Sequence, residues 1–343
     1  MFEPGYHISA ALLANIKRVA ELASELRHRP LPRVVRADLA QRAVTLSAHT
    51  STRIEGNPLP LTEVKRLLKL RPRNLRESER EVLNYNDALV HLNELVSRGE
   101  GALDREGILD IHERVMRGLA EPALCGRFRA EPVVVNDPRT GRTVFLPPDH
   151  GEVEALVDGL LSFLSSARGR VDPLIAAGIF HRQLVLIHPF TDGNGRTTRL
   201  ATKLLLADLG IDTFPLFSFE NHYNRNVTRY FAAVGAVGDY YEVKDSIEFT
   251  PWLEYFTEGI VDELLRVLSE LEAAVAGEMR LAPHHELILE HLREHGVIMD
   301  RDYALLTDRA RATRALDFRR LLDLGLIERR GGGRSTHYRL VIT

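Results

Sequence analysis

The sequence predicts a mainly α-helical protein, with a helical core interrupted by one β-hairpin and a small mixed domain at the C-terminal end. Apolar residues recur at helical spacing along most of the 343 residues. One β-prone stretch surrounds a cluster of turn formers, and the last ~60 residues show short helical segments, then a strand, a glycine-rich turn and a strand. The composition, 44% hydrophobic and 27% charged, is that of a globular protein with two or three domains.

Charge and cysteine usage exclude several classes of protein. The net charge of −3 gives no sign of bulk nucleic-acid binding, although a local basic patch is compatible with it. Cys125 is the only cysteine, which excludes an intrachain disulfide and a zinc site built on several cysteines. The N-terminal residues lack the basic and apolar regions of a signal peptide, and no apolar run is long enough to span a bilayer. We therefore expect a cytoplasmic protein with no membrane contact.

Ten segments with helical spacing form the predicted core. They cover 7–29, 34–55, 61–70, 77–99, 104–119, 150–167, 172–187, 195–210, 223–238 and 251–281. Gly56 is a stop signal for the second helix, and Gly210 for the eighth. Asp172 is suited to cap the N-terminus of the seventh, with Pro173 at its first position.

The predicted hairpin lies between the fifth and sixth helices. The β-prone runs "PVVV" and "RTVFL" flank "NDPRTG", and Asn, Asp, Pro and Gly are turn formers. We expect the hairpin to occupy residues 133–146.

The C-terminal region reads as three short helices followed by a β-hairpin. The helical segments cover 284–296, 300–307 and 308–327, and "IERRGGGRSTHYRLVIT" follows them. Three helices with a β-wing predict a winged helix-turn-helix domain at 279–343.

The excess of arginine in this domain is compatible with two roles. Residues 309–343 hold nine arginines against three acids. On the third helix a stripe of Ala315, Phe318 and Leu322 is expected to face the core, with arginines off that stripe at 311, 314 and 319. A recognition helix for DNA and an inert interaction or dimerisation module fit equally well.

Residue types suited to catalysis and anion binding cluster in "HPFTDGNGRTTR", which runs from His188 to Arg199 between two predicted helices. Gly193 and Gly195 allow a ligand to approach the backbone closely, and N–H groups at a helix N-terminus attract anions. Asn194 adds a side-chain amide. Arg196 and Arg199 are three apart and share a helix face, so both can reach a polyanion. The spacing therefore predicts a polyphosphate site.

Two further residues of the stretch indicate a reaction. Asp192 would repel phosphates unless a cation lies between them, and Mg²⁺ binds one or two carboxylates together with phosphate oxygens. His188 as a neutral imidazole is suited to take a proton from an attacking hydroxyl. A base, a metal-binding carboxylate and a phosphate cradle together indicate transfer from a nucleotide.

Each residue alone has a plainer interpretation: the glycines as turn residues, His188 as a helix-end histidine, Asp192 as a helix cap, and the arginines as a solvated face. Their coincidence within twelve residues favours a site. The stretch is not a P-loop, because no Gly-Lys-Ser/Thr is present.

The stretch resembles the signature of the Fic (Fic/Doc) family, His-x-Phe-x-Asp/Glu-Gly-Asn-Gly-Arg-x-x-Arg. Every specified position matches: His188, Phe190, Asp192, Gly193, Asn194, Gly195, Arg196 and Arg199. The resemblance covers roughly residues 35–270 and includes "GRFR" at 126–129. It is specific only at the motifs.

The resemblance implies a protein adenylyltransferase that moves AMP from ATP to a Ser, Thr or Tyr hydroxyl of a target protein, with Mg²⁺. It implies His188 as base and Asp192 as metal ligand. It places the α- and β-phosphates on Gly193, Asn194, Gly195 and Arg196, and the γ-phosphate on Arg199. The 133–146 hairpin would then dock the target by strand addition. Phe190 would pack in the core, and Tyr223, Asn224 and Tyr230 would either line an adenine pocket or belong to the core.

A second fragment, "STRIEG" at 51–56, resembles the family's inhibitory motif, Ser/Thr-x-x-x-Glu-Gly/Asn. Ser51, Glu55 and Gly56 match it. The resemblance implies that Glu55 pairs with Arg199 and keeps ATP out of its productive pose, in the class II arrangement. It also allows AMP removal as a second reaction.

The sequence therefore predicts three regions: 1–100, helical and carrying the inhibitory helix; 101–278, the catalytic core; and 279–343, the winged helix. Family habit implies a homodimer. The alternative function is a DNA-binding regulator whose Fic core senses a nucleotide, but such a sensor has no need of the base His188.

Overall fold

The computed structural model describes residues 2–29, 33–137, 140–211, 218–278, 282–323 and 326–341. The chain divides into two compact units, one formed by residues 1–28 and 40–267 and the other by residues 29–39 and 268–343. The division falls within two helices, the second and the twelfth. No helix among the described residues is long and apolar enough to cross a membrane.

Helices dominate the first unit, as predicted. They are α1 (Ala10–His28), α2 (Arg33–Ile54), α3 (Leu61–Leu70), α4 (Glu77–Ser97), α5 (Arg105–Met116), α6 (Val153–Ala167), α7 (Pro173–Ile187), α8 (Asn194–Asp208), α9 (Glu220–Arg225), α10 (Val227–Val234), α11 (Tyr240–Val243) and α12 (Thr250–Glu278). The last residues of the predicted helix 251–281, from 279 onward, lie outside the described residues.

The centre of this unit is α7, whose residues are buried on nearly every side. Asp172 caps it by accepting a hydrogen bond from the Leu174 N–H at 2.9 Å, with Pro173 in the first turn, as the sequence predicts. Gly178 lets α12 approach closely, because a Cβ atom there would lie 2.6 Å from a methyl of Leu253. The Trp252 indole donates to the Gly178 carbonyl at 2.7 Å. The pair α7 and α12 thus forms a rigid support for the loop that follows α7.

One predicted helix is wrong in its length. Residues 223–238 are not continuous, because the helix breaks at Asn226, whose side chain accepts from the Arg229 N–H at 3.0 Å and starts α10. Asparagine favours this capping role over a helix interior. Helical structure then ends at Val234.

The predicted hairpin is present and belongs to a three-stranded sheet. Strand β1 (Val135–Asn136) pairs antiparallel with β2 (Thr143–Leu146), and β2 pairs parallel with β3 (Gly238–Asp239). Phe145 points inward and packs with Leu186 and Tyr240. The turn residues 138 and 139 lie outside the described residues.

The second unit shows the element order expected of a winged helix. Helices α13 (Pro283–His295), α14 (Asp300–Leu306) and α15 (Arg311–Asp323) precede the antiparallel strands β4 (Ile327–Arg330) and β5 (His337–Leu340). Its core contains Ile288, Leu292, Tyr303, Phe318 and Leu321.

The predicted core stripe of α15 is correct at Phe318 and Leu322 and wrong at Ala315, which is exposed. Burial begins at Asp317, so the first half of this helix extends beyond the core. Arg314 does not face free solvent either, because it forms a bidentate ion pair with Asp300, at 2.9 and 3.0 Å.

Candidate active site

The loop between α7 and α8 is shaped by two residues with left-handed backbone angles. His188 ends α7 with φ 49° and donates its N–H to the Leu184 carbonyl at 3.1 Å. Gly193 begins α8 with φ 77°. A Cβ atom on Gly193 would lie 2.7 Å from the sulfur of Met116, so both its conformation and its surroundings require glycine.

The side chain of Asn194 closes this loop on itself. Its carbonyl oxygen accepts from the Phe190 N–H at 2.9 Å, and its amide donates to the Phe190 carbonyl at 2.8 Å. The expectation that this amide would face an anion is therefore wrong, because both of its ends are engaged by backbone. The backbone N–H groups of Asn194, Gly195 and Arg196, at the start of α8, have no acceptor within the helix and remain available to a ligand.

His188 is held as a neutral base. Its Nδ1–H donates to the Val185 carbonyl at 3.3 Å, which leaves the Nε2 lone pair free. Burial lowers the pKa of His188 to about 4, with the nearby Arg129 acting in the same direction. The imidazole is therefore unprotonated at pH 7 and can accept a proton.

Arg129, in the "GRFR" stretch, fixes the backbone of the loop. Its Nε donates to the His188 carbonyl at 2.9 Å, its Nη2 to the Pro148 carbonyl, and its own N–H to the Pro189 carbonyl at 2.9 Å. The sequence indicates this stretch as part of the resemblance but does not predict the role of the Arg129 side chain.

His112 on α5 supports the loop from the other side, and sequence reasoning missed it. Its ring stacks on Phe190 with centroids 3.7 Å apart and 4° between the planes. Its Nε2–H donates to the Asp192 carbonyl at 3.0 Å, and Nδ1 accepts from the Gly126 N–H at 3.0 Å. Burial lowers the pKa of His112 to about 4, so it is neutral and holds both bonds at once.

Asp192 presents its carboxylate at the lip of the loop, with 68% of the side chain exposed. Its Oδ1 accepts from the Gly193 N–H at 2.5 Å, and both carboxylate oxygens accept from Arg196 Nη2, at 3.1 and 3.2 Å. The remaining exposed face is open to a cation.

Arg196 is almost fully buried and is held by a carboxylate that the sequence analysis did not identify. Its Nη1 lies 2.8 Å from Glu81 Oε1 on α4. The Asn57 amide in turn donates to Glu81 Oε2 at 2.6 Å. Asn57 directly follows the "STRIEG" fragment, so that segment reaches Arg196 through Glu81.

Arg199 is fully buried and lies against the end of α2. Its Nε donates to Ser51 Oγ at 2.8 Å, and its Nη2 to the Ser51 carbonyl at 3.0 Å and to Glu55 Oε1 at 2.7 Å. Burial opposes its charge, but the Glu55 carboxylate outweighs this and raises the pKa of Arg199. Nη1 has no acceptor among the described residues.

The carboxylate of Glu55 also covers Gly195. A Cβ atom placed on Gly195 would collide with Glu55 Oε1 and would lie 3.0 Å from Arg199 Nη1. Gly56, with φ 97°, turns the chain away just after this contact. The structure thus brings Ser51, Glu55 and Arg199 together over the first turn of α8.

Tyr223 and Tyr230 do not line an open pocket. Both rings are buried and stack on each other at 4.4 Å. Of the two interpretations from the sequence, core packing is correct for these tyrosines; Asn224 is partly exposed.

Comparison with known proteins finds a family model that matches the part of the chain that builds this loop. The model of the Fic/DOC family matches residues 102–206, from just before α5 to within α8. The chain carries a Fic/DOC domain. The resemblance to this family is thereby confirmed.

Relatives of the Fic domain include named enzymes. The chain is 32% identical over 208 residues to "Protein adenylyltransferase fic-1" of Caenorhabditis elegans, which covers 59% of this chain and 39% of that protein. It is 32% identical over 164 residues to "Protein adenylyltransferase Fic" of Nematostella vectensis, covering 47% and 36%. The chain therefore spans less than half the length of these curated relatives.

Solved structures of Fic proteins share the fold. A Fic family protein from Desulfovibrio desulfuricans G20 superposes with a TM-score of 0.65 at 22% identity, over 99% of this chain and 98% of that one. Fic-1 (residues 134–508) from C. elegans gives a TM-score of 0.61 at 24% identity, over 78% and 74%. The predicted fold class, a mainly helical Fic core with one hairpin, is confirmed.

Proposed function

We propose that the protein is an autoinhibited adenylyltransferase that moves AMP from ATP to a Ser, Thr or Tyr hydroxyl of a target protein. The observation that carries this proposal is the placement of a neutral, partly buried His188 at the end of α7 and a buried Arg199 in α8, on either side of one short loop. The names of the curated relatives support the same reaction.

The transfer step uses His188 as base. Its Nε2 takes the proton of the target hydroxyl, and the hydroxyl oxygen attacks the α-phosphorus of ATP. A new oxygen–phosphorus bond forms as the bond to the β-phosphate breaks, so pyrophosphate leaves and AMP remains on the target. The backbone N–H groups of Asn194, Gly195 and Arg196, next to Gly193 and with the Arg196 guanidinium, hold the α- and β-phosphates, and Arg199 holds the γ-phosphate.

The residues at the loop fit Mg²⁺ bound together with ATP. The exposed carboxylate of Asp192 is a suitable oxygen ligand, and Mg²⁺ keeps several waters and phosphate oxygens beside one or two carboxylates. The ion neutralises phosphate charge when bound.

Inhibition rests on competition for Arg199. The Glu55 carboxylate holds Nη2 and covers Gly195, so a γ-phosphate and this carboxylate cannot occupy the same place. Charge-assisted hydrogen bonds contribute roughly 1.5–3 kcal/mol. In the same arrangement Glu55 can position a water for AMP removal, which we propose as a second reaction.

The variant Glu55→Gly tests this account. Removing the carboxylate frees Arg199, and at ~1.4 kcal/mol per factor of ten we expect AMP transfer to rise by about 10- to 100-fold. The measurement is label transfer from α-³²P-ATP with Mg²⁺, with cell lysate supplied as target.

Glu100→Gly is the matched control, because Glu100 is an exposed loop residue outside the site and its loss leaves transfer unchanged. Equal labelling by wild type and Glu55→Gly would contradict the inhibitory role of Glu55.

We propose that the target docks on the 133–146 hairpin. Strand β1 is at the edge of the three-stranded sheet, so its outer side offers backbone groups to an added strand. We further propose that the protein forms a homodimer. We also propose three functional regions: 1–100 with the inhibitory helix, 101–278 as the catalytic core, and 279–343 as the winged helix.

The alternative function, a DNA-binding regulator with a nucleotide-sensing Fic core, is favoured by one feature of the second unit. Arg311 and Arg319 on α15 are exposed, as a recognition helix requires. Fluorescence anisotropy with labelled duplex DNA tests it. Salt-sensitive binding that Arg311→Ala and Arg319→Ala remove would support it.

A further inference from the structure

Three side chains of metal-binding type converge in the second unit. His284 and His285 lie in the first turn of α13 and face Asp317 of α15. The distances from the two Nε2 atoms to Asp317 Oδ1 are 3.4 and 3.7 Å. The carboxylate is 4% exposed, and the imidazoles are 25% and 13% exposed, so the group is sheltered but reachable from solvent.

These spacings suit an ion between the groups better than direct hydrogen bonds. Strong hydrogen bonds of imidazole nitrogen to oxygen are shorter, at about 2.7–3.2 Å. Zinc bonds to nitrogen and oxygen of about 2.0–2.2 Å, in tetrahedral geometry, place neighbouring ligand atoms roughly 3.4 Å apart. The three ligand atoms lie within 4.8 Å of one another, so small side-chain adjustments complete the site.

The carboxylate is already fixed by its neighbours. The Tyr303 hydroxyl donates to Asp317 Oδ2 at 2.9 Å and lies 3.3 Å from the His284 carbonyl, so it links both sides of the group. Arg309 donates to the two carboxylate oxygens at 2.8 and 3.1 Å. Such outer contacts orient metal ligands, although the charge of Arg309 opposes a cation and limits the affinity.

Both imidazoles keep part of their surface open to solvent, so an ion can reach their nitrogen atoms. A neutral imidazole is the form that binds metals, since protonation blocks the lone pair.

We propose that His284, His285 and Asp317 bind one divalent transition-metal ion, with water completing its coordination. Two imidazoles with one carboxylate favour Zn²⁺, Ni²⁺ or Co²⁺ over Mg²⁺, which prefers oxygen ligands. A bound ion would connect the start of α13 to the middle of α15 and so stabilise the C-terminal unit against unfolding.

Zinc titration of the full chain, freed of metal with a chelator and without nucleotide, tests the proposal. We expect one saturable equivalent of Zn²⁺ by competition with a chromogenic chelator, and a rise in melting temperature that Mg²⁺ does not produce. The double variant His284→Gln/His285→Gln, which leaves Asp317 with Arg309 and Tyr303, should weaken binding about tenfold or more and abolish the melting shift.

The matched control is His291→Gln/His295→Gln on the same helix. These two histidines stack at 4.2 Å on one face of α13, and the carboxylate beside them, Glu294 at 3.9 Å from His295, is exposed, whereas Asp317 is buried. We expect this variant to keep the single zinc equivalent. Loss of binding in the control with retention in His284→Gln/His285→Gln, or no saturable binding to wild type, would overturn the proposal.

Discussion

We expect replacement of His188 in the Glu55→Gly protein to lower AMP transfer by about 10²–10⁴-fold, the usual contribution of a general base. The reason is that Nε2 of His188 is a free lone pair on a neutral ring at the end of α7, with Nδ1 already committed to the Val185 carbonyl. ATP binding is expected to persist, because the N–H groups of α8 and the two arginines do not depend on this imidazole. Label transfer and ATP affinity are measured on the same samples.

Comparison of two substitutions at His188 distinguishes loss of the base from distortion of the loop. His188 has φ 49°, which strains alanine but which asparagine tolerates. His188→Asn therefore keeps the loop and removes the base, and it should lose as much transfer as His188→Ala. Substantial transfer by His188→Asn would contradict the assignment of the base.

The largest expected effect on stability is at Lys203. This lysine and Glu220 form an ion pair at 3.0 Å with side chains 1% and 0% exposed. Lys203 also donates to Ser47 Oγ on α2 at 2.7 Å, and Tyr85 donates to Glu220 at 2.6 Å. Removing one partner of a buried pair leaves an uncompensated charge, so Lys203→Met should lower the free energy of unfolding by about 3–5 kcal/mol.

The double variant Lys203→Met/Glu220→Gln is the control for that explanation. Glutamine can still accept from Tyr85 but carries no charge, so the double variant should unfold at a higher denaturant concentration than Lys203→Met alone. Equal midpoints would show that the loss comes from packing and not from the stranded carboxylate.

Much of the fold could be predicted from local sequence because its signals are local. Helical periodicity, the Asp172–Pro173 start and the turn-forming cluster before β2 each act over a few residues. Strand β3 was missed because Gly238–Asp239 has no β-propensity and pairs only through its backbone. The break at Asn226 was missed because one capping side chain outweighed the helical spacing.

The candidate site could likewise be predicted only in part from local sequence. The signature residues could be found because they lie within twelve positions. Glu81, His112 and Arg129 reach the loop from other parts of the chain, and nothing in their own neighbourhoods indicates that contact. The Asn194 amide was misassigned because the residue type suits an anion site as well as a loop clasp.

The most direct test of the account is the identity of the group transferred by the Glu55→Gly protein. Parallel reactions with α-³²P-ATP and γ-³²P-ATP, with Mg²⁺ and the same target lysate, distinguish AMP from phosphate. The account predicts protein-bound label from the α-position only, absent when His188 is asparagine. Label from the γ-position would contradict it, because the phosphate held by Arg199 would then be the group that is transferred.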